Sequence, residues 1–128
     1  MRGVLDTSIF IAGEQGRRIV TDALPDEAAV SVVTLAELEV GVHLAMDAAI
    51  RSRRLATLRG VQSTYVALPV EEAVASAFAR IVADARRAGQ RPTVQDSWIA
   101  ATAMAHSVPV FTQDADFDDI PGIDVVRV

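Results

Sequence analysis

The sequence predicts an α/β fold, a three-layer α/β/α sandwich built on a five-stranded, mainly parallel sheet. Three observations carry that prediction. Short apolar runs, often β-branched, alternate along the chain with segments whose apolar residues recur at helical spacing. Most of those runs are too apolar to leave one face wet, as befits strands covered on both sides by helices. Finally, 128 residues without a repeat, a low-complexity tract or a Gly/Ser linker suit one hydrophobic core, so 1–128 reads as a single domain.

Taken in order, Val4-Leu5 opens the first strand, which stops at Asp6, and Ile9 to Leu24 reads as a helix with loosely defined ends. Ala28 to Val33 is a second strand, bounded by Asp26-Glu27 and Thr34. From Thr34 to Met46, Leu35, Leu38, Val42 and Ala45 share a helical face, and Asp47 to Arg59 reads as a further helix. Thr64 to Leu68 is the third strand, closed by Pro69. Val70 to Ala88 carries an apolar stripe of Val70, Val74, Phe78, Ile81 and Val82. Its acids Glu71 and Glu72 come first, Arg86 and Arg87 last, and Gly89 just beyond, which complements the helix dipole and supplies a stop. Thr93 to His106 is Ala-rich, so this helix can lie close to a sheet. Val110 to Thr112 and Ile123 to Val128 complete the strands, Pro109 being tolerable only as a first strand residue.

Composition narrows the chemistry. With no cysteine there is no disulfide, thiolate metal site or Cys nucleophile. An acid follows two apolar residues at the N-terminus and no apolar run approaches membrane-spanning length, so the expectation is a cytoplasmic protein without membrane association. A formal net charge of -5 argues against indiscriminate polyanion binding, although every basic residue is Arg, the better phosphate fork.

The acids are not scattered. Asp6 ends the first strand, Glu37 follows the second, and Asp114 and Asp116 follow the fourth, so all lie on the carboxyl rim of a parallel sheet, where open α/β folds bind ligands. Asp96, in the first turn of its helix, joins them if that helix points its N-terminus at the rim. Local explanations compete. Thr34-Leu-Ala-Glu37 and Thr93-Val-Gln-Asp96 both fit a capping box, Asp6-Thr-Ser fits a helix cap, and the four carboxylates between Asp114 and Asp119 fit a solvated loop. A calcium-binding loop is excluded, since Asp119 stands where that loop needs Gly and Val125 where it needs Glu. A shared rim is better explained by a bound cation that relieves like-charge repulsion. Oxygen-only donors favour Mg²⁺ or Mn²⁺, and such ions activate water against phosphodiesters.

Val4-Leu-Asp-Thr-Ser8, Thr34-Leu-Ala-Glu-Leu-Glu-Val-Gly41, Asp96-Ser-Trp-Ile-Ala-Ala-Thr-Ala103 and Phe111-Thr-Gln-Asp-Ala-Asp-Phe117 resemble, in that order and spacing, the four motifs of PIN-domain ribonucleases. More narrowly, they resemble the VapC toxins of type II toxin-antitoxin pairs. The resemblance implies a PIN-like fold and Mg²⁺- or Mn²⁺-dependent endoribonuclease activity. It also implies a homodimer, and inhibition by a VapB-type antitoxin. Carried across by motif, Asp6, Asp96, Asp114 and Asp116 are the metal ligands, and Glu37 completes the catalytic acids. Thr7, Ser8 and Thr112 are candidates for hydroxyl contacts to water or phosphate. The expected reaction is in-line attack of water on phosphorus, leaving a 5'-phosphate and a 3'-hydroxyl, with Glu37, Asp114 or Asp116 taking the proton.

Arg51, Arg53 and Arg54 form the densest basic group, which reads either as a solvated face or as an RNA or antitoxin contact. His43 and His106 read as structural, and Trp98 as a packing residue with base stacking as its alternative. Two other functions compete. An aspartyl phosphotransfer or phosphatase domain would use Asp6 as nucleophile, but the chain has no Lys to assist it. A non-catalytic RNA- or protein-binding module would have no use for crowded carboxylates.

Overall fold

The computed structural model describes all residues, Met1–Val128. The strands are β1 (Arg2–Leu5), β2 (Glu27–Ser31), β3 (Val66–Leu68), β4 (Val110–Thr112) and β5 (Val125–Arg127). The helices are α1 (Thr7–Glu14), α2 (Val32–His43), α3 (Ala48–Thr64), α4 (Glu72–Arg87) and α5 (Val94–Ala105). The strands form one sheet in the order β3-β2-β1-β4-β5, every pair parallel. None of the helices is long and apolar enough to cross a membrane.

Strand alternation sorts the core into two layers. Val4 and Val110 face one side with Val74, Ile81 and Ile99 of α4 and α5. Their neighbours Leu5 and Phe111 face the other, with Ile9, Leu38, Leu58 and Val61 of α1, α2 and α3. Ala100, Ala101 and Ala103 of α5 are wholly buried, and their small side chains let the helix sit against the strands. The chain leaves the central β1 towards β2 and β3, then returns to β4 on the other flank. The switch point thus lies between the carboxyl ends of β1 and β4, where Asp6 and Thr112 stand.

Several boundaries differ from the sequence expectation. Val32 and Val33 belong to α2, because the Ser31 hydroxyl takes the Val33 amide at 3.0 Å and starts the helix there. A side-chain cap and tertiary burial override their β-branched preference. The helix expected to reach Leu24 ends at Glu14, beyond which Gly16 turns the chain at φ 71°. α3 runs on to Thr64, Val70 lies outside α4, and β5 starts at Val125.

Gly3 is fixed by packing. A Cβ there would collide with the ring of Phe111, which is fully buried. Gly3→Ala should destabilise the protein by roughly 1–3 kcal/mol, the usual cost of overpacking, seen as a lower urea midpoint at unchanged m.

Candidate active site

Asp6 is the innermost acid, at 2 % exposure. It caps α1, and its Oδ2 accepts from the Ser8 amide at 3.3 Å and from the Thr112 hydroxyl at 2.9 Å. A hydroxyl has one proton, and that of Thr112 is committed to a carboxylate that can only accept. So in the 3.2 Å contact between Ser8 Oγ and Thr112 Oγ1 the serine donates. Ser8 Oγ itself accepts from the Gln113 amide at 3.0 Å, and Thr112 Oγ1 also accepts from the Asp114 amide at 2.9 Å. The result is a one-directional relay ending on Asp6. Burial raises the Asp6 pKa above its ordinary value and the nearby Asp114 charge adds to this, while the bonds from Ser8 and Thr112 oppose it.

Glu37 lies within α2, beyond its first turn. Since Ser31 is the cap, Thr34 is an interior, fully buried helix residue, and the capping-box reading of Thr34 and Glu37 is incorrect. Glu37 Oε1 accepts from the Thr7 hydroxyl at 2.7 Å, with Thr34 Oγ1 3.0 Å from the same hydroxyl. Burial raises the Glu37 carboxyl, Thr7 opposes it, and the charges of Asp6 and Asp114 push it further up. At α5 the expected cap is present: Thr93 Oγ1 accepts the Asp96 amide at 3.1 Å. Asp96 is pushed from 3.8 to about 6, first by burial, then by the charge of Asp6, with Thr93 opposing and Glu37 and Asp114 adding smaller effects.

The fold therefore gathers Asp6, Glu37, Asp96 and Asp114 into one field of mutual repulsion. Asp114 and Asp116 are both exposed, at the cap of and within the 3₁₀ turn Ala115–Asp119; the charge of Asp114 acts on the other three acids, and that of Asp116 is not among those acting on them. That turn is pinned by the fully buried Phe117, and Asp118 pairs with Arg127 at 2.7 Å. Thr7, Ser8 and Thr112, expected to face water or phosphate, all make hydrogen bonds to protein partners. Arg51 donates to the Ala45 carbonyl at 3.3 Å and Arg54 to that of Gly41 at 2.7 Å, fastening α3 to the end of α2, while Arg53 is exposed. Trp98 stacks on Phe78 at 3.8 Å, as a packing residue does. Thr34 and Gln113 are supporting residues that sequence reasoning missed. Gln113 Nε2 reaches the carbonyls of Arg18 at 2.9 Å and Val128 at 3.0 Å, contacts without a local sequence signal.

No group of three or more Asp, Glu, His or Cys side chains is drawn together in metal-holding geometry. The donor set nevertheless fits a hard divalent cation. Its four acids are oxygen donors, and no Lys, Arg or His pairs with any of them. Three have pKa values raised by burial and by the charges of neighbouring acids in the set, which a divalent cation would reverse.

A parallel sheet of this order with acids at its carboxyl switch point is the architecture of a PIN domain, and the chain matches the PIN-domain family over residues 3–123. Ribonuclease VapC5 of Mycobacterium tuberculosis is 45% identical, the match spanning 98% of this chain and 95% of that protein. Ribonuclease VapC4 of the same organism is 41% identical over 99% of this chain and 97% of its own length. The solved VapBC-5 toxin-antitoxin structure from M. tuberculosis superposes with a TM-score of 0.91 at 42% identity, covering 99% of this chain and 98% of that one. The chain belongs to the PIN-domain family and, within it, to the VapC ribonucleases.

Because folding raises these carboxyl pKa values, the folded chain holds protons more tightly at these acids than the unfolded chain does, for Asp96 between pH 3.8 and about 6. The contribution of these acids to the stability of the metal-free protein is therefore fullest below that window and falls as pH rises through it. Asp96→Asn should flatten this slope and raise the Tm at pH 7 in EDTA. Mg²⁺ should raise the wild-type Tm at pH 7 and leave that of the variant nearly unchanged, as measured by thermal melts across pH.

Proposed function

We propose that this protein is a Mg²⁺- or Mn²⁺-dependent endoribonuclease, the toxin of a toxin-antitoxin pair, hydrolysing RNA phosphodiester bonds at the carboxylate rim. The observation that carries this reading is the convergence of Asp6, Glu37, Asp96 and Asp114 from four chain segments with no protein cation to balance them. Its similarity to ribonucleases VapC5 and VapC4 supplies RNA as the substrate. The likeness to a VapBC toxin-antitoxin complex supports a VapB-type antitoxin as partner. A homodimer and a cytoplasmic setting complete the proposal, and the whole chain acts as one catalytic domain.

Asp6, Asp96 and Asp114 would hold the cation. When bound, it offsets charge on the phosphoryl oxygens and lowers the pKa of water beside it. Thr112 and Ser8 orient Asp6: with both donors on Oδ2, Oδ1 is left to the site. Glu37 is the proposed general base. Its raised pKa moves it towards the range where a base works near neutrality, and the Thr7 hydroxyl fixes its rotamer. Water then attacks phosphorus in line, its proton passes to Glu37, and the bond from phosphorus to the 3'-oxygen breaks, that oxygen taking a proton from solvent, giving a 5'-phosphate and a 3'-hydroxyl. Asp116 stands outside this set, on the exposed turn where substrate would approach.

Neither a phosphotransfer domain nor a non-catalytic module is favoured by any observation. Asp6 is buried with one oxygen doubly hydrogen-bonded, a poor state for a nucleophile.

Purified protein with Mn²⁺ should cut RNA to 5'-phosphate ends, and Asp6→Asn or EDTA should bring cleavage to background. Undiminished cleavage in either arm, followed on gels and by end mapping, contradicts the assignment.

A further inference from the structure

A polar groove of about 260 Å³ runs between α1, α2 and α3, and Glu37 is one of its lining residues. It is thus continuous with the acid rim. A larger cavity of about 610 Å³ between α4 and α5 includes none of the carboxylates. Only Ile11 and Leu38 are apolar among the groove's walls.

Three polar side chains give the groove a chemical bias. Arg54, half-buried, spends Nη1 on the Gly41 carbonyl at 2.7 Å and forms no ion pair, so its remaining N–H groups are held in one orientation without a partner. Glu14 is fixed through Oε1 by the Thr57 hydroxyl at 2.9 Å, leaving Oε2 free. Gln15, exposed at the end of α1, offers an unengaged amide. An oriented guanidinium is a phosphate fork. A carboxylate accepts only, so it selects a base edge that donates, and guanine alone offers adjacent N1–H and N2–H donors beside an acceptor O6.

We propose that this groove is a nucleotide subsite for the RNA strand next to the cleaved bond: Arg54 grips a phosphate, and Glu14 with Gln15 reads the Watson–Crick edge of a guanine. Single-stranded RNA is read through such edges once its bases are splayed from the stack. The inference rests on the ribonuclease reading of the acid rim, but its test needs no cleavage.

Fluorescence anisotropy with the Asp6→Asn protein in Mg²⁺ would compare uridine hexamers carrying one guanosine, inosine or adenosine. The guanosine hexamer should bind about tenfold more tightly than the inosine one, which lacks the N2 donor. Glu14→Gln keeps an oxygen for Thr57 and, like Gln15→Ala, should erase that preference without changing the Tm. Arg54→Gln should weaken all hexamers alike and lower the salt slope of binding by about 1, with Arg54→Lys intermediate. Equal affinity for all hexamers, or a preference untouched by Glu14→Gln and Gln15→Ala, overturns the proposal. So does an effect of these variants confined to antitoxin binding. The ribonuclease reading fails separately, on cleavage that survives Asp6→Asn.

Discussion

A carboxylate held almost out of water governs this molecule. Asp6 is 2 % exposed, yet its buried charge is not abandoned: the Ser8 amide and Thr112 hydroxyl bind one oxygen. Burying a charge without partners is costly, and burying it with donors on one side only directs the other oxygen. The sheet order makes this arrangement available. β1 and β4 are neighbours although more than a hundred residues apart, so the residue after β1 meets the last residue of β4. Asp6 could not be oriented in this way if β4 paired elsewhere.

The remaining acids are arranged around that fixed point by the same means. Thr7, one residue after Asp6, steadies Glu37 from α2, and Thr93 caps the first turn of α5, the turn that carries Asp96. Hydroxyls thus do here what basic side chains do in an ion-pair network: they position the acids without neutralising them. The unspent negative charge appears as raised pKa values at Asp6, Glu37 and Asp96, the condition under which a divalent cation gains most by binding. On the metal-dependent reading proposed above, a bound cation would reverse the local sign, and an overall acidic chain could then handle RNA with its arginines as phosphate contacts.

Much of this was legible from residue pattern. Asp6 and Asp114 follow apolar strand runs, which placed them on the sheet's carboxyl rim, and Thr93 was recognisable as a cap from the acid three residues on. Other features required the fold. Thr34 reads as the cap from the sequence, but the Ser31 hydroxyl on the Val33 amide starts the helix earlier and leaves Thr34 inside it, buried against Thr7. Asp114 and Asp116 are two residues apart in an acidic stretch, and only the fold shows that Asp114 caps the turn pinned by Phe117 while Asp116 lies within it. Arg51 and Arg54 read from the sequence as a solvated face or an RNA or antitoxin contact, and only the packing of α3 on α2 shows that each also donates to a backbone carbonyl, of Ala45 and Gly41. Each of these outcomes depends on contacts distant in sequence, which periodicity does not encode.

The orientation of Asp6 by Thr112 is open to direct measurement: calorimetric titration of Mn²⁺ into the wild-type protein, Thr112→Ser and Thr112→Val, with folding checked by circular dichroism. Serine retains the donor and should bind Mn²⁺ nearly as the wild type does, whereas valine should weaken binding by about 10–100-fold, as loss of a ligand-orienting hydrogen bond does. Wild-type affinity in a folded Thr112→Val protein would contradict the role assigned to the relay.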